Sequence, residues 1–254
     1  MEREEKCNIC EFDKEQIVKC ISEATGDDIR ACLRREGINE RKSVGRKLMK
    51  WDFINRNFIM NFSAGDITAE YAKRGAWYLV PLYDRKNNIL LTVMREDRLS
   101  ALQKKQEKRR KAHYIDALVK SFNFDVQCGR QMSLFDAKQF DKDEISTIVS
   151  EILRDFKIEK NMVKRYATIL FEEYNSEVTG VRYCILDSSL QIVFEEDWSY
   201  LLNHSESVVV ETVSNKETNK MTNLTLKKKA KDRIGQRELV AIKKNVEEQN
   251  SQSQ

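Results

Sequence analysis

WYLVPLYDRKNNILLTVMREDR, residues 77–98, is where the hydrophobic period of this chain changes. Residues 77–83 and 89–94 are two runs rich in aromatic, Leu, Ile and Val side chains, the composition of strands. Asp84-Arg85-Lys86-Asn87-Asn88 between them is polar and turn-prone, so the pair predicts a β-hairpin. On both sides of it the period is helical. Upstream, Leu48, Trp51, Phe53, Ile54, Phe58, Ile59 and Phe62 recur at helical spacing, which predicts a deeply buried helix over 47–62. Residues 12–36 read as two short helices broken at Gly26-Asp27-Asp28. Downstream, the charged stretch 96–111 predicts a helix running into HYIDALVKSF, where Tyr114, Leu118 and Phe122 share a face.

Residues 141–156 predict a further amphipathic helix, with Ile145, Ile148, Val149, Ile152, Leu153 and Phe156 inward and Asp141 or Asp143 as its cap. Three strands follow, over 166–174, 181–186 and 191–194, with a short helix at 196–201. This order, with no alternating βαβ pattern, predicts an α+β fold: an antiparallel sheet of about five strands packed with helices. The expected organisation is a helical N-terminal segment over 1–40, an α+β core over 41–204, and a tail over 205–254. The tail is rich in Ser, Thr, Asn, Lys and Gln, so it is expected to be disordered, flexible and basic, or partly helical over 225–246. One echo stands out. LYDRKNNILLTVMREDRLSAL and ILDSSLQIVFEEDWSYL both run strand, Asp-led turn, strand, acidic pair and helix start.

Bulk properties narrow the function classes. The 254 residues contain 8 Gly and 1 Pro, and 45 basic against 41 acidic side chains leave a net charge of +4. Nucleic acid is therefore reachable only through local patches. No run approaches the roughly 18 apolar residues of a membrane span, and MEREEKCNIC has no signal-peptide core, so a cytoplasmic setting without membrane contact is expected. In that setting the six cysteines are free thiols, core fillers or metal ligands. Cys7 and Cys10 have zinc-knuckle spacing without a matching second pair, so no metal site is assigned. No glycine-rich phosphate loop is present, and no cofactor is expected.

Three constellations carry candidate chemistry. Lys104, Lys105, Lys108, Arg109, Arg110 and Lys111 form the densest basic run, a candidate phosphate-binding face for DNA or RNA, with Lys227–Lys229 and Lys231 adding to it. His113, Glu96, Asp97 and Arg98, with Arg95, are candidate catalytic residues if the protein acts on a phosphate. A metal-dependent nuclease also wants an acidic-x-Lys pair on the adjoining strand, which Glu172-Glu173-Tyr174 does not supply. The third is Gln131-Met132-Ser133-Leu134-Phe135. It resembles the short peptide by which bacterial polymerases, repair factors and some mobile-element proteins dock on the DNA sliding clamp. In that reading Gln131 anchors to backbone while Met132, Leu134 and Phe135 offer apolar contacts, the last two as paired anchors. The alternative is that Leu134 and Phe135 pack on the chain's own core.

KWDFIN (50–55), RGAWYLVPLYD (74–84), VMREDR (93–98), HYIDAL (113–118) and EEDWSYL (195–201) together resemble an uncharacterised family of Gram-positive bacteria and their mobile elements. That resemblance implies a bacterial cytosolic protein and assigns no activity. Three classes of function remain open: an accessory or mobile-element protein docking on the sliding clamp, a defence or toxin-type effector acting on nucleic acid, and an antitoxin or regulator working through protein contacts.

Overall fold

The computed structural model describes residues 7–74, 77–126 and 140–202. Three helices come first: α1 (Glu11–Thr25), α2 (Asp27–Arg35) and α3 (Arg46–Asn61). Short strands β1 (Ile67–Ala69), β2 (Ala72–Arg74), β3 (Trp77–Leu79) and β4 (Leu82–Asp84) lead to β5 (Ile89–Arg95). Helices α4 (Glu96–Lys104), α5 (Tyr114–Phe122) and α6 (Lys142–Phe156) precede β6 (Arg165–Tyr174), β7 (Glu177–Leu186) and β8 (Ile192–Asp197). The fold is α+β, with a six-stranded sheet in the order β1-β4-β5-β6-β7-β8. Every pairing is antiparallel except β5 with β6, where Ile89 lies beside Arg165 and Arg95 beside Phe171.

Strand alternation sends two sets of side chains to two covered faces. On one face Leu91, Ile169, Phe171, Val181 and Tyr183 pack with Ile17 and Ile21 of α1 and Ile54 and Phe58 of α3. On the other Leu90, Met94, Tyr166, Leu170 and Leu186 pack with Ile115 and Leu118 of α5 and Ile152 and Leu153 of α6. Each fully buried Leu or Ile removes enough apolar surface from water to contribute about 1.5–3 kcal/mol. Asn123, at the end of α5, stitches helix to sheet. Its amide donates to the carbonyls of Tyr166 and Leu186 at 2.9 Å, and its oxygen accepts from the Tyr166 N–H at 3.0 Å.

Turn chemistry follows residue type. Asn175 and Ser176 both take positive φ (49° and 71°) in the two-residue turn joining β6 to β7, a twist that matches the strands it connects. Asp141 caps α6, its carboxylate accepting from the Asp143 N–H at 3.0 Å.

Several expectations change. The single strand over 77–83 is two strands, β3 ending at Leu79 and β4 starting at Leu82, on either side of Pro81, which has no N–H to give a ladder and restricts Val80 before it. β3 leaves the sheet and pairs with β2 as a separate two-stranded ribbon. The helix over 96–111 stops at Lys104, followed by a 3₁₀ turn at Gln106–Lys108. Beyond Leu102 no apolar residue comes until Ala112, so a longer helix would have no apolar stripe to lay on the core. Helix α3 is buried along one stripe only: Ile54 and Phe58 face inward while Leu48 and Met60 are exposed.

Candidate functional site

The departure of β3 opens a cleft. β4 covers only Ile89–Leu91 of β5, so Val93, Met94 and Arg95 keep a strand neighbour on the β6 side alone among the described residues. The recess left beside them measures about 1070 Å³. It lies along the carboxyl half of β5, on the edge that β4 leaves uncovered and that faces away from β6.

Its floor is apolar: Ile54 and Phe58 of α3, Val80 and Met94 are buried there. One wall is the exposed side of α3, with Leu48, Trp51, Asp52 and Asn55. Trp51 is set edge-on to Phe171, 5.9 Å between ring centroids. The ribbon supplies Trp77, Tyr78 and Leu79, with Tyr71 before it. Tyr71 and Tyr78 meet edge to face at 6.5 Å. Opposite stand Arg95, then Asp97, Arg98 and Ala101 of α4, with His113 and Tyr114 at the start of α5.

The charged groups are held unequally. Arg95 donates to Asp97 at 2.8 Å, with Asp97 largely in solvent. Arg98 is exposed and makes no salt bridge with another described residue. His113 caps α5: its Nδ1 accepts from the Ile115 N–H at 3.4 Å, which leaves Nε2 as the protonated nitrogen of the neutral ring. The backbone N–H of His113 donates to Asp116, and Arg109 grips the same buried carboxylate, one of its two bonds at 2.8 Å. Deeper on α3, Lys50 pairs with Glu173; burial pulls its ammonium below the ordinary lysine value, against the upward pull of that carboxylate.

Of the expected catalytic group, His113, Asp97 and Arg98 line this cleft and Glu96 does not. Glu96 turns away to pair with Arg182 of β7. The basic run divides as well. Lys104, Lys105, Lys108, Arg110 and Lys111 are exposed, whereas Arg109 is half-buried between Asp116 and the ring of Phe140. Gln131, Met132, Leu134 and Phe135 lie outside the described residues, as do Lys227–Lys229 and Lys231. Phe140 is buried under Arg109 and Lys120, 5.5 Å and 4.8 Å from the ring centroid.

Cys10 is exposed and its thiol donates to Asp13, while burial pushes the Cys7 thiol up to about 12. Among the described residues no three His, Cys, Asp or Glu side chains gather closely enough to hold a metal ion. No helix among them is long and apolar enough to cross a membrane. None of the cleft aromatics Trp51, Tyr71, Trp77 and Tyr78 was assigned to a site from the sequence, Trp51 being expected on the buried face of its helix; the available signal was three aromatics clustered at 71–78.

Comparison with curated proteins and with solved structures gave no match. Residues 8–244 match the model of a family of unknown function, DUF5986, and the chain belongs to that family.

Proposed function

We propose that the chain is a bacterial accessory protein that works on nucleic acid, holding the phosphate backbone on one cationic face. What supports this reading is a single feature: Arg98 in the cleft, and Lys104, Lys105, Lys108, Arg110 and Lys111 in the stretch that returns to the cleft at His113, are all exposed and none is in a salt bridge with another described residue. Surface cations are usually shared with nearby carboxylates; a run of them without such partners among the described residues has its charge available for phosphates. Contacts of this kind position a polynucleotide without reading its sequence.

The test is binding of labelled duplex and single-stranded DNA and RNA across a salt series. Affinity should fall log-linearly with salt, and Lys104→Gln/Lys105→Gln/Lys108→Gln should reduce the slope by about one for each phosphate no longer held. Absence of binding at low salt sinks the reading.

Recruitment through Gln131–Phe135 to the DNA sliding clamp is a second reading, favoured by the match of QMSLF to clamp-binding peptides. Such peptides bind in the micromolar range, about −8 kcal/mol. A Leu134→Ala/Phe135→Ala protein that keeps its melting temperature and loses clamp binding would support it. Unchanged clamp binding by that variant would remove it.

A further inference from the structure

The cleft has walls that a cationic face alone does not explain. Trp77 and Tyr78 are each 62% exposed and Tyr71 47%, yet all three edge one recess with Trp51. Large aromatics left in water around a concavity mark a surface with a partner. The other lining groups narrow its chemistry. Arg98 has no salt bridge with another described residue, and the solvent-facing Arg95–Asp97 pair is of the weak kind that a phosphate can replace. Flat apolar walls beside guanidinium forks match a chain that alternates planar rings with phosphates.

Resting on the nucleic-acid reading above, we infer that this cleft is a site for unpaired nucleotides of a single strand. Bases lie against Trp77, Tyr78, Tyr71 and Trp51, and phosphates meet Arg95 and Arg98. A duplex does not fit this description, because its base faces are already stacked on one another and only an unpaired base offers them to a protein ring. At about 1070 Å³ the recess is at the upper limit of small-molecule sites, about 300–1000 Å³, which leaves room for more than one nucleotide. The exposed cations between Arg98 and His113, both of which line the cleft, supply further positive charge for the backbone. Stacking is tolerant of base identity, so little sequence preference is expected.

The chain contains its own reporters. It has three tryptophans, and two of them, Trp51 and Trp77, line the cleft while Trp198 is buried elsewhere in the core. The full-length protein is titrated at low salt with an oligothymidylate of about 12 nucleotides, a typical single-strand site size, and separately with a blunt duplex of equal length. The expected result is quenching of tryptophan emission by the single strand and affinity about tenfold or more above that for duplex. Trp77→Ala/Tyr78→Ala should lose about tenfold or more in single-strand affinity while its salt-sensitive duplex binding and its melting temperature stay put. Equal affinity for both forms, no quenching, or unchanged single-strand binding by the variant each overturns the inference, leaving the cationic face as the binding surface and the cleft to another ligand such as an acidic peptide. Failure of both nucleic acids to bind overturns this inference and the reading beneath it together.

Discussion

The hairpins β4–β5 and β7–β8 turn by the same chemistry. In the first, Asp84 accepts from the backbone N–H groups of Lys86 and Asn87, both at 3.0 Å; in the second, Asp187 accepts from those of Ser189 and Gln191 at 2.8 and 2.9 Å. Their exits also run in step, Arg95-Glu96-Asp97-Arg98 in one and Glu195-Glu196-Asp197-Trp198 in the other. Glu96 pairs with Arg182, and Glu196 with Lys14 of α1 at 2.5 Å. The fourth residue parts them. Trp198 has no exposed surface, stacks on Tyr183 at 5.6 Å and donates its indole N–H to Glu196. Arg98 stands in solvent at the cleft. The turn is set locally by one aspartate. Whether a strand end becomes core or site depends on what lies over it: α1 closes the second hairpin, while the break at Pro81 carries β3 away from the first.

The comparison is broken most forcefully at Trp198. Replacing it with Ala should cost about 3–5 kcal/mol in chemical denaturation, because removal of the plug leaves a cavity and takes the indole donor from Glu196. A cost under about 1 kcal/mol would show that the second hairpin is no more closed than the first. Next come the turns. Asp84→Ala and Asp187→Ala each strand two backbone donors, so each should cost about 1–3 kcal/mol. The likeness of the hairpins fails if one substitution is costly and the other neutral.

A smaller effect is expected at the open end. Asp97→Asn should leave stability within about 0.5 kcal/mol and raise single-strand affinity a few-fold, since Arg95 loses its competing partner. A fall in affinity, or the loss of a nucleic-acid-cleaving activity, would instead make Asp97 a working carboxylate of an effector. The smallest effect belongs to Asp197, whose carboxyl is held below its ordinary value by Ser199. The stability it adds is present above the usual carboxylate range and is lost as pH falls below it. Because the group is well solvated, a few tenths of a kcal/mol is expected, read as the difference between wild type and Asp197→Asn at neutral pH and near pH 3.

Much of the fold was legible because it is local. Asp84 and Asp187 announce their turns, Asn175-Ser176 announces another, and Asp141 announces the start of α6. The parallel pairing of β5 and β6 was not legible, because the partners lie far apart in sequence. Its trace is the run Ile89-Leu90-Leu91, buried without alternation as a strand covered on both faces must be. Of the candidate site, His113, Asp97 and Arg98 were visible as residue types near a strand end. The aromatic wall was not, since it is assembled from α3, a ribbon of three-residue strands and the stretch before it. Pro81 was in view, but one proline in an apolar run does not reveal where the chain goes after leaving the sheet.

The parallel pair at the middle of the sheet also sets an order of events. Each hairpin closes a few residues and can form early, whereas Ile89 meets Arg165 only after α4, α5 and α6 have been gathered into one long loop. Closing that loop carries the largest entropy cost of any pairing in the sheet and is the natural slow step of folding. The cleft takes its lining from residues 48–114, but Trp51 in its wall packs against Phe171 of β6, so that wall is fixed only when this pair closes. In refolding, the response of Trp51 to an oligonucleotide should therefore appear after most of the hairpin structure has formed. A partly folded chain carries its hairpins with that wall of the cleft still unset.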